Sequence, residues 1–289
     1  MNPSIKKHLT LAGLLVGSVG ICSSPAQADL FGVSLNGYTA SNPGPSSLYS
    51  VDPSTGDGDL VGNLGYAVNS IAMDPTTGTM YGSTTSWSGE FNGLLEIDPA
   101  TGAATEVGSF NGEFDSILGL TFNSTGELWG WHDPNEDDPV RINKTTGEAT
   151  TVGNSDINTG GQVMAFDNSD NLTLVQNEEL YEIDQTTGAA VLQESLSFDP
   201  GSGGADFDPD TGLLWAPEGD SSGQIMDSMI RVTDLGADDF SDMDTDISYL
   251  HALTFGETDG VPVPAPATLA LMGAGLAGLS FSRRNKTTK

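Results

Sequence analysis

Between residues 29 and 260 the apolar positions fall into short runs, each separated from the next by a turn rich in Asp, Asn, Thr and Gly. One run type reads Leu48-Tyr-Ser-Val-Asp-Pro-Ser-Thr-Gly56 and is followed by Leu60-Val-Gly. It returns as Leu94 to Gly102 with Val107-Gly, as Val140 to Gly147 with Val152-Gly, and as Leu180 to Gly188 with Val191-Leu. A degraded copy begins at Met229-Ile-Arg-Val-Thr233. A second type is interleaved with the first: Ile71-Ala-Met-Asp-Pro-Thr-Thr-Gly78 with Met80-Tyr-Gly, then Leu120 to Gly126 with Leu128-Trp-Gly. It continues as Met164-Ala-Phe-Asp with Leu172-Thr-Leu, and as Ala205 to Gly212 with Leu214-Trp-Ala. The turn-opening residues of the first type, Asp52, Asp98, Asn143, Asp184 and Thr233, lie 41 to 49 residues apart. That period and four short strands per unit predict the blades of a β-propeller. An open stack of β-repeats is the alternative.

The turns carry their own mechanism. Asp or Asn opens the turn through its side chain, Pro sets φ at the next position, and Gly supplies a positive φ before the return strand. The two ends of the repeat are incomplete in complementary ways. Leu30-Phe-Gly-Val33 matches a second strand without its first, and Leu250-His-Ala-Leu-Thr-Phe-Gly256 matches a first strand without its successors. Joined in one blade they give five four-stranded blades and leave no open sheet edge.

With strands a to d counted outward from the axis, the Asp-Pro-x-Thr-Gly turns all emerge on one face. The longer, irregular connections emerge on the other, and variable loops on a rigid scaffold are where binding is expected. Phe31, Tyr81, Trp129 and Trp215 occupy one equivalent b-strand position, and Met73, Phe122, Phe166, Phe207 and Phe255 one a-strand position. Repetition of this kind predicts packing between blades. Tyr38, Trp87, Phe91, Phe114, Trp131 and Tyr249 lack repeat partners and fall in or beside the irregular loops, where aromatic faces beside carboxylates suit sugars. Among these Trp87, Trp131 and Tyr249 are taken as ligand-contacting candidates. His251 aligns with Asn69 and Gln162 of other blades, and together with Asp206 they are expected to form a polar funnel at the mouth of the central channel.

Composition then narrows the chemistry. All 40 acidic residues lie between Asp29 and Asp259, against three cations, Arg141, Lys144 and Arg231, so this stretch carries −37. Such a surface repels phosphate backbones and excludes nucleic-acid partners. Asp242-Met-Asp-Thr-Asp246 has the alternate spacing of the start of a calcium loop, without the glycine at the sixth position or the glutamate at the twelfth; Asp242, Asp244 and Asp246 are the candidate metal ligands. The dense loop Asp133-Pro-Asn-Glu-Asp-Asp138 reads as solvated. No cofactor is expected beyond calcium. The stretch holds two histidines, His132 and His251, and no Gly-x-Ser-x-Gly, His-Glu-x-x-His or phosphate-binding glycine loop, so catalytic equipment is thin.

The ends read as targeting devices. Lys6 and Lys7 precede an apolar run from Leu9 to Val19, and Ala26-Gln-Ala28 offers a signal-peptidase site before Asp29. Cys22, the one cysteine, opens a lipoprotein alternative, against which Ile21 is bulky where such signals need a small residue. Removal of residues 1–28 leaves no cysteine, and with it no disulfide or thiolate chemistry. At the other end Val263, Pro264, Pro266, Ala267 and Thr268 open a Gly-rich apolar stretch closed by Arg283 and Arg284. This order resembles the PEP-CTERM sorting signal, with Ala265 where that family usually has glutamate. An ordinary short membrane anchor is the alternative, the apolar stretch being read as a short transmembrane helix. The resemblance implies residues 261–289 as the signal, retention in the inner membrane of a Gram-negative bacterium, processing by an exosortase, and delivery to the cell surface or an exopolysaccharide matrix. Three functions follow for the propeller of residues 29–260: a non-catalytic binder of extracellular polysaccharide or surface components, a secreted glycan-acting enzyme with Asp206 and His251 as acid and base, or a structural matrix protein bridged by divalent cations.

Overall fold

The computed structural model describes residues 28–35, 44–84, 91–111, 114, 116–133, 137–158, 163–198, 200–201, 203–219, 225–234 and 239–256. They form twenty strands in five four-stranded antiparallel sheets, with no helix among the described residues. Numbered in chain order, the second blade runs from the axis outward as β4 (Val68–Met73), β5 (Met80–Thr84), β6 (Gly93–Ile97) and β7 (Ala104–Ser109). The third is β8 (Ser116–Phe122), β9 (Leu128–Asp133), β10 (Asp138–Ile142) and β11 (Ala149–Thr151). The fourth is β12 (Val163–Phe166), β13 (Leu172–Gln176), β14 (Glu179–Ile183) and β15 (Ala190–Ser195). The fifth is β16 (Asp206–Phe207), β17 (Leu214–Gly219), β18 (Ile225–Asp234) and β19 (Asp239–Asp244).

The first blade closes the ring, as the complementary half-blades predict. Its inner strand β20 (Leu250–Gly256) comes from the far end of the described chain and pairs with β1 (Asp29–Ser34), which pairs in turn with β2 (Ser47–Val51) and β3 (Gly58–Asn63). The register sets Leu30 against Phe255 and Gly32 against Leu253.

Each blade is sandwiched between two others, so both faces of its inner strands are covered. β4, β5, β8, β9 and β20 are buried along their whole length, whereas the outermost strands β3, β7 and β15 are largely exposed. The core is correspondingly five clusters, one per inter-blade interface. Three interfaces are centred on the expected pairing of a b-strand aromatic with the a-strand aromatic of the following blade. The pairs are Tyr81 with Phe122, Trp129 with Phe166 and Trp215 with Phe255, at centroid separations of 5.8, 5.8 and 6.1 Å. Tilted and edge-on pairs of this kind add about 0.5–1.5 kcal/mol each to their area burial. Phe31 meets Met73 at the interface of the first and second blades. In the fourth blade the b position is Thr173, whose hydroxyl turns back to donate to the Ala165 carbonyl.

The three cations of the blades complete these interfaces. Arg141 lies 4.6 Å from the Trp129 ring centre, Lys144 5.4 Å from Phe122, and Arg231 5.7 Å from Trp215. Lys144 also reaches 2.5 Å to Asp74 of the second blade, whose carboxylate is held below the usual range; burial opposes this, and Lys144 and Thr76 prevail.

The recurring Val-Gly of the outer strands also has a packing cause. A Cβ on Gly108 would stand 1.9 Å from the carbonyl oxygen of Thr146, in the outer turn of the next blade, and Gly153 meets Thr187 in the same way. Gly108→Ala is therefore expected to lower stability by about 1–3 kcal/mol through overpacking against backbone. Thermal denaturation followed by circular dichroism checks this; an unchanged midpoint would show that the outer turns do not set blade spacing.

Candidate binding bowl

The turns that join a to b are built as their sequence predicts. Asp74 accepts from Thr76 N at 2.9 Å and Oγ1 at 2.6 Å, Asp167 from Ser169 N and Asn171 N, and Asp208 from Asp210 N, while Gly78, Gly126 and Gly212 take φ of 69°, 79° and 73°. In the fourth blade Asp170 replaces the glycine at φ 62°. These turns do more than connect strands. They stand around a cavity of about 660 Å³ on the axis of the ring, within the range of small-ligand pockets.

The floor of this bowl is the a-strand ring of Met73, Phe122, Phe166, Phe207 and Phe255, one residue from each blade. The rim is polar and stitched from blade to blade. Lys144 joins the third blade to Asp74 of the second, and Asp170 of the fourth blade accepts from Ser124 N at 2.7 Å and Oγ at 2.5 Å. Asn168 donates to the carbonyls of Asp208 and Pro209 in the fifth blade, and Ala28 N donates to Asp210.

Asp206 lies deepest. Its Oδ2 accepts from Phe255 N and Thr254 Oγ1, both at 2.9 Å, and its Oδ1 from Phe207 N at 2.9 Å. It thus binds the fifth blade to the first across the closing interface. Thr254 in turn accepts from Met73 N, and Thr121 from Phe166 N, so side chains one position before the aromatic hold the next blade's backbone. Asp206 keeps some surface toward the bowl, but its carboxyl is enclosed; burial raises it to about 6 against the three hydrogen bonds, and Asp208 pushes it further.

At the opposite mouth the channel is plugged. The connection from β15 to β16 folds inward, with Leu196, Phe198, Gly201, Gly203 and Gly204 all buried. Gly203 O accepts from Gly119 N of the third blade at 2.7 Å, Gly204 N donates to His251 O of the first, and Leu253 N donates to Gly204 O. A segment of the fifth blade that meets β8 and β20 in this way has crossed the axis. Only glycine fits: a Cβ on Gly203, at φ 136°, would stand 1.9 Å from the His251 carbonyl oxygen, and one on Gly204 would stand 2.6 Å from Ser70 Oγ.

The expected site residues are therefore divided. Asp206 reaches the bowl, on the turn face, whereas Asn69 and His251 are buried beside the plug, Asn69 donating to Ser116 at 3.2 Å. Trp131 does not offer a face to solvent: it is fully buried with Trp129, Met164 and Phe166, and Phe114 is buried against His132. Tyr249 is 44% exposed at φ 56° on the plugged side. Trp87, Gln162 and Tyr38 lie outside the described residues, as do residues 257–289 with the sorting residues Val263 to Arg284.

Asp242 and Asp244 alternate along the exposed strand β19, and Asp246 accepts from Gly58 N at 2.8 Å, so the spacing read as a calcium loop is that of a strand and its following turn. Among the described residues no three or more His, Cys, Asp or Glu side chains are gathered so as to hold a metal ion. Of the loop expected to be solvated, Asp133, Asp137 and Asp138 are buried, and Asp138 accepts from Ser155 N at 2.8 Å.

Two buried groups give opposite pH signatures. Burial lowers His251 to about 4, so the unfolded chain takes up its proton first and stability is lost as pH falls from about 6.5 toward 4. Asp206 holds its proton more tightly when folded, so its contribution is present below the ordinary carboxyl value of 3.8 and is lost as pH rises through about 6. Asp206→Asn is expected to steepen the loss of stability from pH 6.5 to 4, and His251→Gln to make stability rise over the same interval. Urea denaturation from pH 4 to 7 measures both, and parallel profiles for the two variants would rule out these assignments.

Comparison with known proteins agrees with this architecture. A chain of the nidogen/laminin complex superposes with a TM-score of 0.54 at 10% identity, covering 80% of this chain and 98% of that one. A structural-genomics protein of unknown function from Bacteroides thetaiotaomicron VPI-5482 superposes with a TM-score of 0.52 at 17% identity, covering 75% of this chain and 58% of that one. At these identities the likeness is one of fold. No relative was found among curated protein sequences. Residues 262–284 match the PEP-CTERM protein-sorting motif, which marks the chain for export with a membrane-anchored C-terminal signal and implies processing by signal peptidase and exosortase. The chain thus joins a five-bladed β-propeller to a C-terminal PEP-CTERM protein-sorting motif.

Proposed function

We propose that this is a non-catalytic propeller of the cell surface or extracellular matrix, and that it binds an extracellular polysaccharide through the bowl on its turn face. The observation that carries the reading is the bowl itself: an apolar floor contributed by all five blades, a polar rim, and a single open mouth because the other end of the channel is plugged. Sugars present apolar C–H faces and hydroxyl edges, and a cavity with an aromatic floor and hydrogen-bonding rim suits both.

An enzymatic reading has one observation in its favour, the raised carboxyl of Asp206 in a cavity. Against it, Asp206 Oδ2 is engaged by the closing interface and Oδ1 accepts from Phe207 N of its own strand, and His251 is buried beside the plug. That placement makes Asp206 a structural and ligand-facing carboxylate before it is an acid.

Both termini of the described blades meet at this bowl. Ala28 and Gly256, the first and last described residues, line it.

The full chain, screened on a glycan array with and without calcium, is expected to be retained by a defined glycan class without release of shortened products and without dependence on calcium. Retention by no glycan would sink the binding reading, and product release would establish the enzymatic one.

A further inference from the structure

Granting that the bowl binds a glycan, the charge distribution fixes which kind. We propose that its ligand is an amine-bearing sugar, a hexosamine residue or oligomer with free amino groups, in preference to N-acetylated or uronic-acid polymers.

The first step concerns what the protein cannot offer. Recognition of a carboxylate, sulfate or phosphate needs Arg or Lys donors free to approach it. The blades hold three such side chains among 40 acids, and all three are committed. Arg141 lies over Trp129 and reaches Glu127 at 3.5 Å, Lys144 is held by Asp74 over Phe122, and Arg231 lies over Trp215. An anionic polymer therefore meets a strongly negative surface, and the pocket that Arg141 lines with Thr150, Thr151, Val152, Gln185 and Thr186 shares no residue with the bowl.

The second step concerns what the bowl does offer. Asp74, Asp167, Asp170 and Asp206 line it, and the Lys144 ammonium pairs with Asp74. The enclosed walls strengthen the resulting field relative to open solvent. Asp206 Oδ1 takes one described hydrogen bond where a carboxylate oxygen can take two, leaving acceptor capacity at the deepest point. Below the rim, Met73, Phe122, Phe166, Phe207 and Phe255 each keep 5–9% of their surface exposed. An ammonium beside aromatic rings and carboxylates is favoured twice, by the ring quadrupoles and by Coulomb attraction. N-acetylation removes that charge, and a uronate reverses it.

Calorimetry on the full chain with glucosamine oligomers, N-acetylglucosamine oligomers of equal length and polygalacturonate separates the possibilities. The expected result is binding of the free-amine oligomer about tenfold or more tighter than the acetylated one, a difference of about 1.4 kcal/mol, with no heat from polygalacturonate. Thr77→Lys and Pro209→Lys place a cation at exposed positions on the rim and change the net charge by one each, so they are expected to weaken amine binding about tenfold while leaving the thermal midpoint within a few degrees. Equal binding of acetylated and free-amine oligomers overturns this inference and leaves the glycan-binding reading standing. Amine binding that both variants leave unchanged overturns the bowl as its site, and absence of binding by any glycan overturns both.

Discussion

The pairing of β1 with β20 is the constraint on which the rest depends. A propeller blade is covered on both faces only while it has two neighbours, and the first blade exists only because the two ends of the repeat share it. Without that sheet the second and fifth blades would each expose an interface now filled by Phe31 and Met73 on one side and by Trp215 and Phe255 on the other. The closure is reinforced at the axis, where Asp206 and Thr254 pass hydrogen bonds from the fifth blade through the first to the second. Non-local pairing of this kind carries a loop-closure cost that local hairpins do not, and it is recovered only when the whole ring has formed.

The large negative charge looks, in composition, like a device for holding cations. In the fold much of it is turn chemistry. Asp52, Asp98 and Asp184 each accept backbone N–H bonds from their own turns; the Ser54 hydroxyl and N–H hold the Asp52 carboxyl below the usual range, and the Thr187 and Thr186 N–H groups do so for Asp184. Asp170 and Asp210 are spent on the neighbouring blade. Carboxylates used as hydrogen-bond acceptors on a solvated rim tolerate one another because salt screens them, within about 8 Å at physiological strength. The few cations then go where a positive charge contributes most, over the aromatic pairs between blades.

Blade number, closure and the aromatic ladder were all legible in the sequence, because each is written at equivalent positions in every repeat. What was not legible comes from residues whose local pattern contradicts their environment. Trp131 has no repeat partner and sits beside an irregular loop, yet β9 continues through it to Asp133 and buries it against the fourth blade. Asp133, Asp137 and Asp138 read as a solvated run, but all three are buried, and Ser155 of the connection after β11 donates to Asp138 and to the Asp137 carbonyl. The plug was hidden for a similar reason, since Gly201, Gly203 and Gly204 look like a flexible linker, yet Gly203 and Gly204 are glycine because the backbone passes within contact of His251 and Ser70. Glycine clustering does not single it out, since the counterpart connection after β11 carries Gly153, Gly160 and Gly161.

The bowl illustrates why repetition alone misplaces function. Its floor and rim are the most regular parts of the molecule, so a rule that assigns binding to variable loops passes over them. Fivefold regularity nevertheless converges on the axis: one apolar side chain from each of five blades, a turn from each of four, and Ala28 and Gly256 from the first become a ring around a single space. Departures from the repeat then give that space its chemistry. Where other blades place Ala72, Thr121, Ala165 or Thr254, the fifth places Asp206, and with the far mouth occupied by Gly203 and Gly204 a ligand can approach its carboxylate only across the aromatic floor.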